Sequence, residues 1–192
     1  MSQPLTPNDW LAQCPLLPNE RLYVVLSSAS DAKPLTAWQA SATGMLPQAI
    51  WAGTAYAEWG EVMPHAGIVE PDSAFLDWIA TTEATDWGWL AVSSSPLEVV
   101  VAHLQSLTKI LLPDERSVFL RFWDGAQFLP IVQKLGDEIG AGRRHQNGIG
   151  LAAEVDVGHG IGFARVPLRG VHRPPRQGLH GGGGDEALSA GR

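Results

Sequence analysis

Apolar runs and helix-spaced apolar positions alternate along the first 140 residues. The run Leu22-Tyr23-Val24-Val25-Leu26 has no polar interruption, which is typical of a strand buried on both faces. Similar short runs bounded by turn residues predict strands over residues 49–52, 66–70 and 87–93. A fifth strand is predicted over residues 117–123, where alternate positions form two sets of side chains that would lie on opposite faces of a strand.

Helical spacing of apolar residues predicts four helices. The clearest follows Ser95-Pro96-Leu97-Glu98, which has the form of a capping box with proline at the first helical position. Apolar residues then recur at helical spacing until Pro113. The other helices are predicted over residues 9–13 with Thr6 or Asn8 as the cap, after Asp72 or Ser73, and over residues 127–139.

This alternation predicts an α+β domain, with short strands in a mixed sheet packed with three to four helices. Composition sets its end near residue 140, because all eight tryptophans lie at or before Trp123 and thirteen of the 21 glycines follow residue 140. Residues 141–192 offer few large apolar side chains to offset the entropy of ordering. We therefore expect a domain over residues 1–140 and a disordered or loosely ordered Gly- and Arg-rich tail over residues 141–192.

The charge distribution along the chain limits the classes of partner that the domain can bind. Residues 1–140 contain six Lys and Arg against sixteen Asp and Glu, whereas the remainder carries seven Arg against four acidic residues. So acidic a domain is not expected to bind nucleic acid, which requires clustered cations. No apolar run approaches the roughly 20 residues of a membrane helix, and the first residues do not resemble a signal peptide. We expect a soluble, cytoplasmic protein that does not bind membranes.

The sequence contains few of the known catalytic motifs. There is no Gly-x-Ser-x-Gly sequence, no histidine pair at metal-ligand spacing and no second cysteine to join Cys14. We therefore predict no catalytic residues, no cofactor and no metal. Glu58, Glu61 and His65 are the one acid–base group worth naming, and they keep a small hydrolase as an alternative.

Aromatic residues are the stronger signal, since tryptophan is enriched where proteins bind one another. Two segments combine aromatic and charged residues: a glycine-bounded loop after residue 50 and the end of the last predicted strand. The pair Arg121 and Asp124 is expected to order the turn into the last helix. For each tryptophan, burial in the core is the alternative interpretation. The candidate partner-binding residues are Trp51, Tyr56, Trp59, Arg121, Trp123 and Asp124.

A series of short motifs carries a family resemblance. In order they are Leu22-Tyr23-Val24-Val25-Leu26, Ile50-Trp51-Ala52-Gly53-Thr54, Pro64-His65-Ala66-Gly67-Ile68-Val69, Phe75-Leu76-Asp77-Trp78, Trp87-Gly88-Trp89, the predicted helix from Ser95, and Phe119-Leu120-Arg121-Phe122-Trp123-Asp124. The series, over about Arg21 to Ile139, resembles the adaptor or chaperone family that loads toxic effectors onto the spike of the bacterial type VI secretion system. This chain departs from the family's pattern near Gly140, where the Arg- and Gly-rich tail begins.

The resemblance implies a cytoplasmic protein with two partners, a cognate toxic effector protein and the trimeric spike protein. It implies no catalytic residues. An immunity protein that neutralises a toxin is an alternative with the same acidic, compact character. The two are distinguished by whether the bound toxin stays active.

Overall fold

Five α-helices, one short 3-10 helix (Gly60–Val62) and two sheets make up the described part of the chain. The computed structural model describes residues 6–41, 45–140, 155–158 and 161–165. The helices are α1 (Pro7–Gln13), α2 (Pro34–Ala40), α3 (Ala74–Thr81), α4 (Leu97–Ser106) and α5 (Gly125–Gly140). The strands are β1 (Arg21–Leu26), β2 (Gln48–Ala49), β3 (His65–Val69), β4 (Gly88–Ser93), β5 (Lys109–Leu111), β6 (Ser117–Phe119), β7 (Val155–Gly158) and β8 (Ile161–Arg165). The predicted α+β class is confirmed.

Strand β1 lies in the middle of the larger sheet, whose strand order is β2-β3-β1-β4-β8-β7. It pairs antiparallel with both β3 and β4, and β8 then joins β4 in parallel, so the sheet is mixed as predicted. Residues 22–26 of β1 are all buried. The uninterrupted apolar run therefore predicted its place correctly.

Two apolar layers cover the faces of this sheet. Tyr23 and Val25 point into one layer, which is completed by α4, α5 and the segment around Trp51. Leu22, Val24 and Leu26 point into the other, which is built from α1, α2 and α3. Each large side chain fully buried in these layers stabilises the fold by about 1.5–3 kcal/mol.

Helices begin where the sequence predicts when a side-chain cap is present. Thr6, rather than Asn8, caps α1 in a reciprocal capping box with Asp9, and the Ser73 hydroxyl accepts a hydrogen bond from the Phe75 N–H at 3.3 Å. Helix α2 was not predicted. It begins after Lys33, whose left-handed backbone (φ 51°) and missing side-chain cap give no recognisable start signal.

Helix α4 departs from the prediction at both ends. Pro96 is its N-cap, with no side-chain cap bond, so the capping box over residues 95–98 does not form. The helix stops at Ser106 because residues 109–111 pair instead with residues 117–119 in a hairpin. The predicted strand over residues 117–123 correspondingly ends at Phe119.

One further prediction differs in extent. The strand predicted over residues 49–52 is limited to β2, and turns follow it. Of the predicted disordered or loosely ordered tail, only residues 155–158 and 161–165 are described. They form β7 and β8, with Phe163 opposite Leu90 of β4. The remainder of residues 141–192 lies outside the described residues.

Two glycines bring the start of β4 against the start of α5. Gly88 has φ +139°, and a Cβ there would lie 1.9 Å from the carbonyl oxygen of Val25. A Cβ on Gly125 would lie 2.1 Å from the carbonyl oxygen of Gly88. Both contacts are with backbone atoms, so no side-chain rotation can relieve them.

We expect Gly88→Ala to lower the free energy of unfolding by about 3 kcal/mol, since it adds backbone strain to a clash. Gly60→Ala is the matched control because a Cβ at Gly60 meets nothing within 4 Å. Urea denaturation of both variants measures the difference. Equal stability of the two would contradict the close approach of β4 and α5.

Candidate partner-binding surface

Aromatic side chains from distant parts of the chain meet beside the β5–β6 hairpin. The ring centroids of Trp51 and Trp123 are 4.9 Å apart, and those of Tyr56 and Phe119 are 5.3 Å apart. Trp59 lies 5.4 Å from Phe119 and 6.0 Å from Trp51. Pairs of this kind contribute about 0.5–1.5 kcal/mol each beyond the area they bury. We call these five residues the aromatic cluster.

The aromatic cluster runs from the core to the surface. Trp51 and Trp123 form its base and are 0% and 6% exposed, whereas Trp59 and Phe119 are 45% and 43% exposed. Tyr56 is half-buried between them. Trp51 and Trp123 are therefore core residues that support the surface, and of the predicted aromatic contacts only Tyr56 and Trp59 are accessible to a partner.

Hydrogen bonds fix the segment that carries these rings. The Trp51 indole N–H donates to the Thr108 hydroxyl at 3.0 Å, and the Gln105 side-chain amide donates to the Ile50 carbonyl at 2.6 Å. The Thr54 hydroxyl donates to the Trp51 carbonyl at 2.8 Å. The first two bonds tie the turns after β2 to the end of α4, so the exposed rings stand on a fixed base.

The hairpin adds residues that the sequence did not indicate. Lys109 lies directly opposite Phe119, and its Nζ is 5.2 Å from the Phe119 ring centroid and 5.8 Å from that of Tyr56. Leu111 is on the same hairpin face, two residues along β5, and is 71% exposed. We call Tyr56, Trp59, Lys109, Leu111 and Phe119 the hairpin surface. Residues 109–111 were missed because their apolar spacing also fits a helix.

Arg121 and Asp124 form the predicted ion pair, with Nη2 and Oδ2 2.8 Å apart. The Asp124 side chain is 6% exposed and that of Arg121 is 59% exposed. Asp124 immediately precedes α5, and its Oδ1 accepts a hydrogen bond from the Gln127 N–H at 3.3 Å. This is the geometry of a helix N-cap. Asp124 is thus a buried structural residue, and Arg121 is its exposed partner.

No hydrogen bond or ion pair between described residues joins the members of the candidate acid–base group, Glu58, Glu61 and His65. Glu58 and Glu61 are exposed, while His65 is half-buried on β3 with its Nδ1 3.3 Å from the Ser28 hydroxyl. That hydroxyl donates to the Met63 carbonyl at 2.5 Å. Burial lowers the pKa of the His65 imidazole. Between the described residues, no ion pair joins His65 to a carboxylate.

Within the described ranges, no three His, Cys, Asp or Glu residues are arranged so that they could hold a metal ion. None of the described helices is both long and apolar enough to cross a bilayer.

Comparison with known proteins identifies the family. The family described as a domain of unknown function (DUF4123) matches residues 22–139, more than half of the chain. The chain belongs to this family. No curated protein and no solved structure matches it significantly. The DUF4123 domain extends from β1 into α5, so it contains every residue of the hairpin surface and almost all of the stretch that carries the motif series.

Capping and ion pairing at the start of α5 can be separated by mutation. We expect Asp124→Ala to lower the free energy of unfolding of the DUF4123 domain by about 1–3 kcal/mol, because it removes a helix cap and a buried acceptor. Arg121→Ala should cost about 0–1 kcal/mol, because the guanidinium is largely exposed. Asp124→Asn, which keeps an acceptor oxygen, is the matched control. Urea denaturation showing equal losses for Arg121→Ala and Asp124→Ala would contradict the assignment of Asp124 as a cap.

Proposed function

We propose that this protein is a cytoplasmic adaptor or chaperone of the type VI secretion system. It binds a cognate toxic effector protein and helps to load it onto the trimeric spike protein. The hairpin surface is the observation that carries the proposal, and the ordered motifs resembling the adaptor family support it. The function requires no catalytic residue and no cofactor, nucleic acid or membrane partner.

The composition of the hairpin surface is that of an interface centre. The few residues that dominate the binding energy of protein interfaces are enriched in tryptophan and tyrosine. Here Trp59 and Phe119 expose more than two-fifths of their surface. The buried rings of Trp51 and Trp123 hold the cluster from below. Since the rings are already ordered by these contacts, binding costs less conformational entropy.

Handover to the spike sets a limit on affinity. An adaptor must retain its effector in the cytoplasm and then release it. A small surface with a few aromatic anchors suits this requirement better than an extensive apolar interface, which is typical of permanent complexes.

An immunity protein is the alternative that the charge favours. Sixteen acidic residues against six basic ones in residues 1–140 would suit the covering of a basic active site on a toxin. Such a protein abolishes the activity of the toxin it binds. A loading adaptor has no need to do so.

Co-expression with the product of the neighbouring toxin gene should yield a complex that copurifies. We expect Trp59→Ala to weaken this complex by about tenfold or more while the melting temperature stays within a few degrees of wild type. Leu17→Ala is the control, because Leu17 is 56% exposed and follows Leu16, which packs against the opposite layer. Trp51→Ala should instead lower stability by about 3–5 kcal/mol, as expected for a buried aromatic residue.

Activity assays on the complex distinguish the alternatives. A toxin that remains active when bound supports the adaptor, and one that loses all activity supports the immunity protein. Binding to neither toxin nor spike, together with a hydrolytic turnover that Glu61→Gln removes, would establish the hydrolase instead.

A further inference from the structure

Among the described residues, none pairs with the outward-facing backbone groups of β5. Leu112 N–H donates to the Arg116 carbonyl and Leu120 N–H to the Thr108 carbonyl, which fixes the hydrogen-bonded register of the hairpin. In an antiparallel pair the residues between such positions direct N–H and C=O away from the partner strand. Lys109 and Leu111 therefore direct both groups outward, and β5 and β6 are the two strands of their sheet in the described chain.

One side chain on this edge, that of Leu111, also faces solvent. Leu111 is 71% exposed, whereas the apolar residue of β6, Phe119, already packs against Tyr56 and Trp59. An exposed edge strand with an apolar side chain is a template on which another strand can pair. Of the two edges of the hairpin, that of β5 is therefore the better place for an added strand.

Local charge selects the chemistry of that strand. Three of the six Lys and Arg in residues 1–140 fall between positions 109 and 121. Arg116 is paired with Asp114 at 2.7 Å, and Arg121 is paired with Asp124. Lys109 lies over aromatic rings and makes no ion pair with a described carboxylate. In a domain otherwise dominated by acidic residues, it is the cation on the hairpin surface that remains available to a partner.

We propose that the effector binds as an extended strand along the outer edge of β5. A carboxylate of this strand lies at Lys109, and an apolar side chain in register with it packs on Leu111. Backbone hydrogen bonds provide affinity, and the charge and the apolar contact fix the register. Register specificity suits a cognate partner, so we assign the edge to the effector rather than to the spike. This inference rests on the proposed adaptor function and adds the chemistry of the bound segment.

A peptide scan with edge-specific variants tests the proposal. Labelled full-length protein is applied to short overlapping peptides that cover the neighbouring toxin and the spike protein, with both whole proteins as parallel probes. We expect toxin peptides with a carboxylate near an apolar residue to bind. Leu111→Pro should weaken them about tenfold or more, because it removes an outward N–H that the hairpin itself does not use.

Ser117→Pro is the matched control, because Ser117 lies opposite Leu111 and directs its N–H to the other edge of the hairpin. It should bind as wild type does. Leu111→Thr keeps the N–H and removes the apolar contact, so it separates the contribution of the side chain from that of the backbone. Stronger loss with Ser117→Pro than with Leu111→Pro would overturn the assignment to β5.

Charge reversal provides a test that does not depend on proline. Lys109→Glu should abolish binding of the acidic peptide. The same variant should bind a peptide in which that carboxylate is replaced by lysine. Whole toxin that binds while no peptide does, or peptides that bind from the spike alone, would overturn this inference but leave the adaptor function standing. Failure of the whole toxin and the whole spike to bind would overturn both.

Discussion

The burial of β1 on both faces is the constraint on which the rest of the structure depends. Its five apolar residues leave no face for water, so the chain must supply two apolar layers. Helices α1, α2 and α3 form one of them. The other combines α4 and α5 with tryptophans from irregular segments, and it extends outward as the aromatic cluster. The candidate surface is thus the exposed margin of a core layer.

The same packing explains why irregular segments carry rigid side chains. Gly88 and Gly125 let the first residues of β4 and α5 touch through their backbones, and Asp124 caps the helix that starts there. Trp123 is thereby held against Trp51, whose indole is hydrogen bonded to Thr108 at the root of the hairpin. The core and the hairpin are therefore held in place by one connected set of contacts, and the surface proposed for partner binding is already formed.

The sequence predicts an element correctly where the apolar pattern of that element determines its structure. The prediction is wrong where contacts with a distant element determine the structure instead. Strands β1, β3 and β4 and helices α3 and α5 follow from apolar periodicity. Residues 109–111 fit a helix by spacing, yet pairing with residues 117–119 makes them a strand. Trp51 and Trp59 lie in one aromatic loop of the sequence, but only the packed structure separates the buried ring from the exposed one. Lys109 and Leu111 were missed because their face exists only after the hairpin forms.

Amide hydrogen exchange of the full chain, free and in complex with the neighbouring toxin, tests whether the hairpin surface is the effector interface. We expect bound toxin to slow exchange at the outward amides of Lys109 and Leu111 and in residues 56–59, because that surface becomes the interface. The layer formed by α1, α2 and α3 should exchange as it does in the free protein. Protection confined to those three helices, with unchanged exchange in residues 109–119, would contradict the assignment of the hairpin surface as the interface.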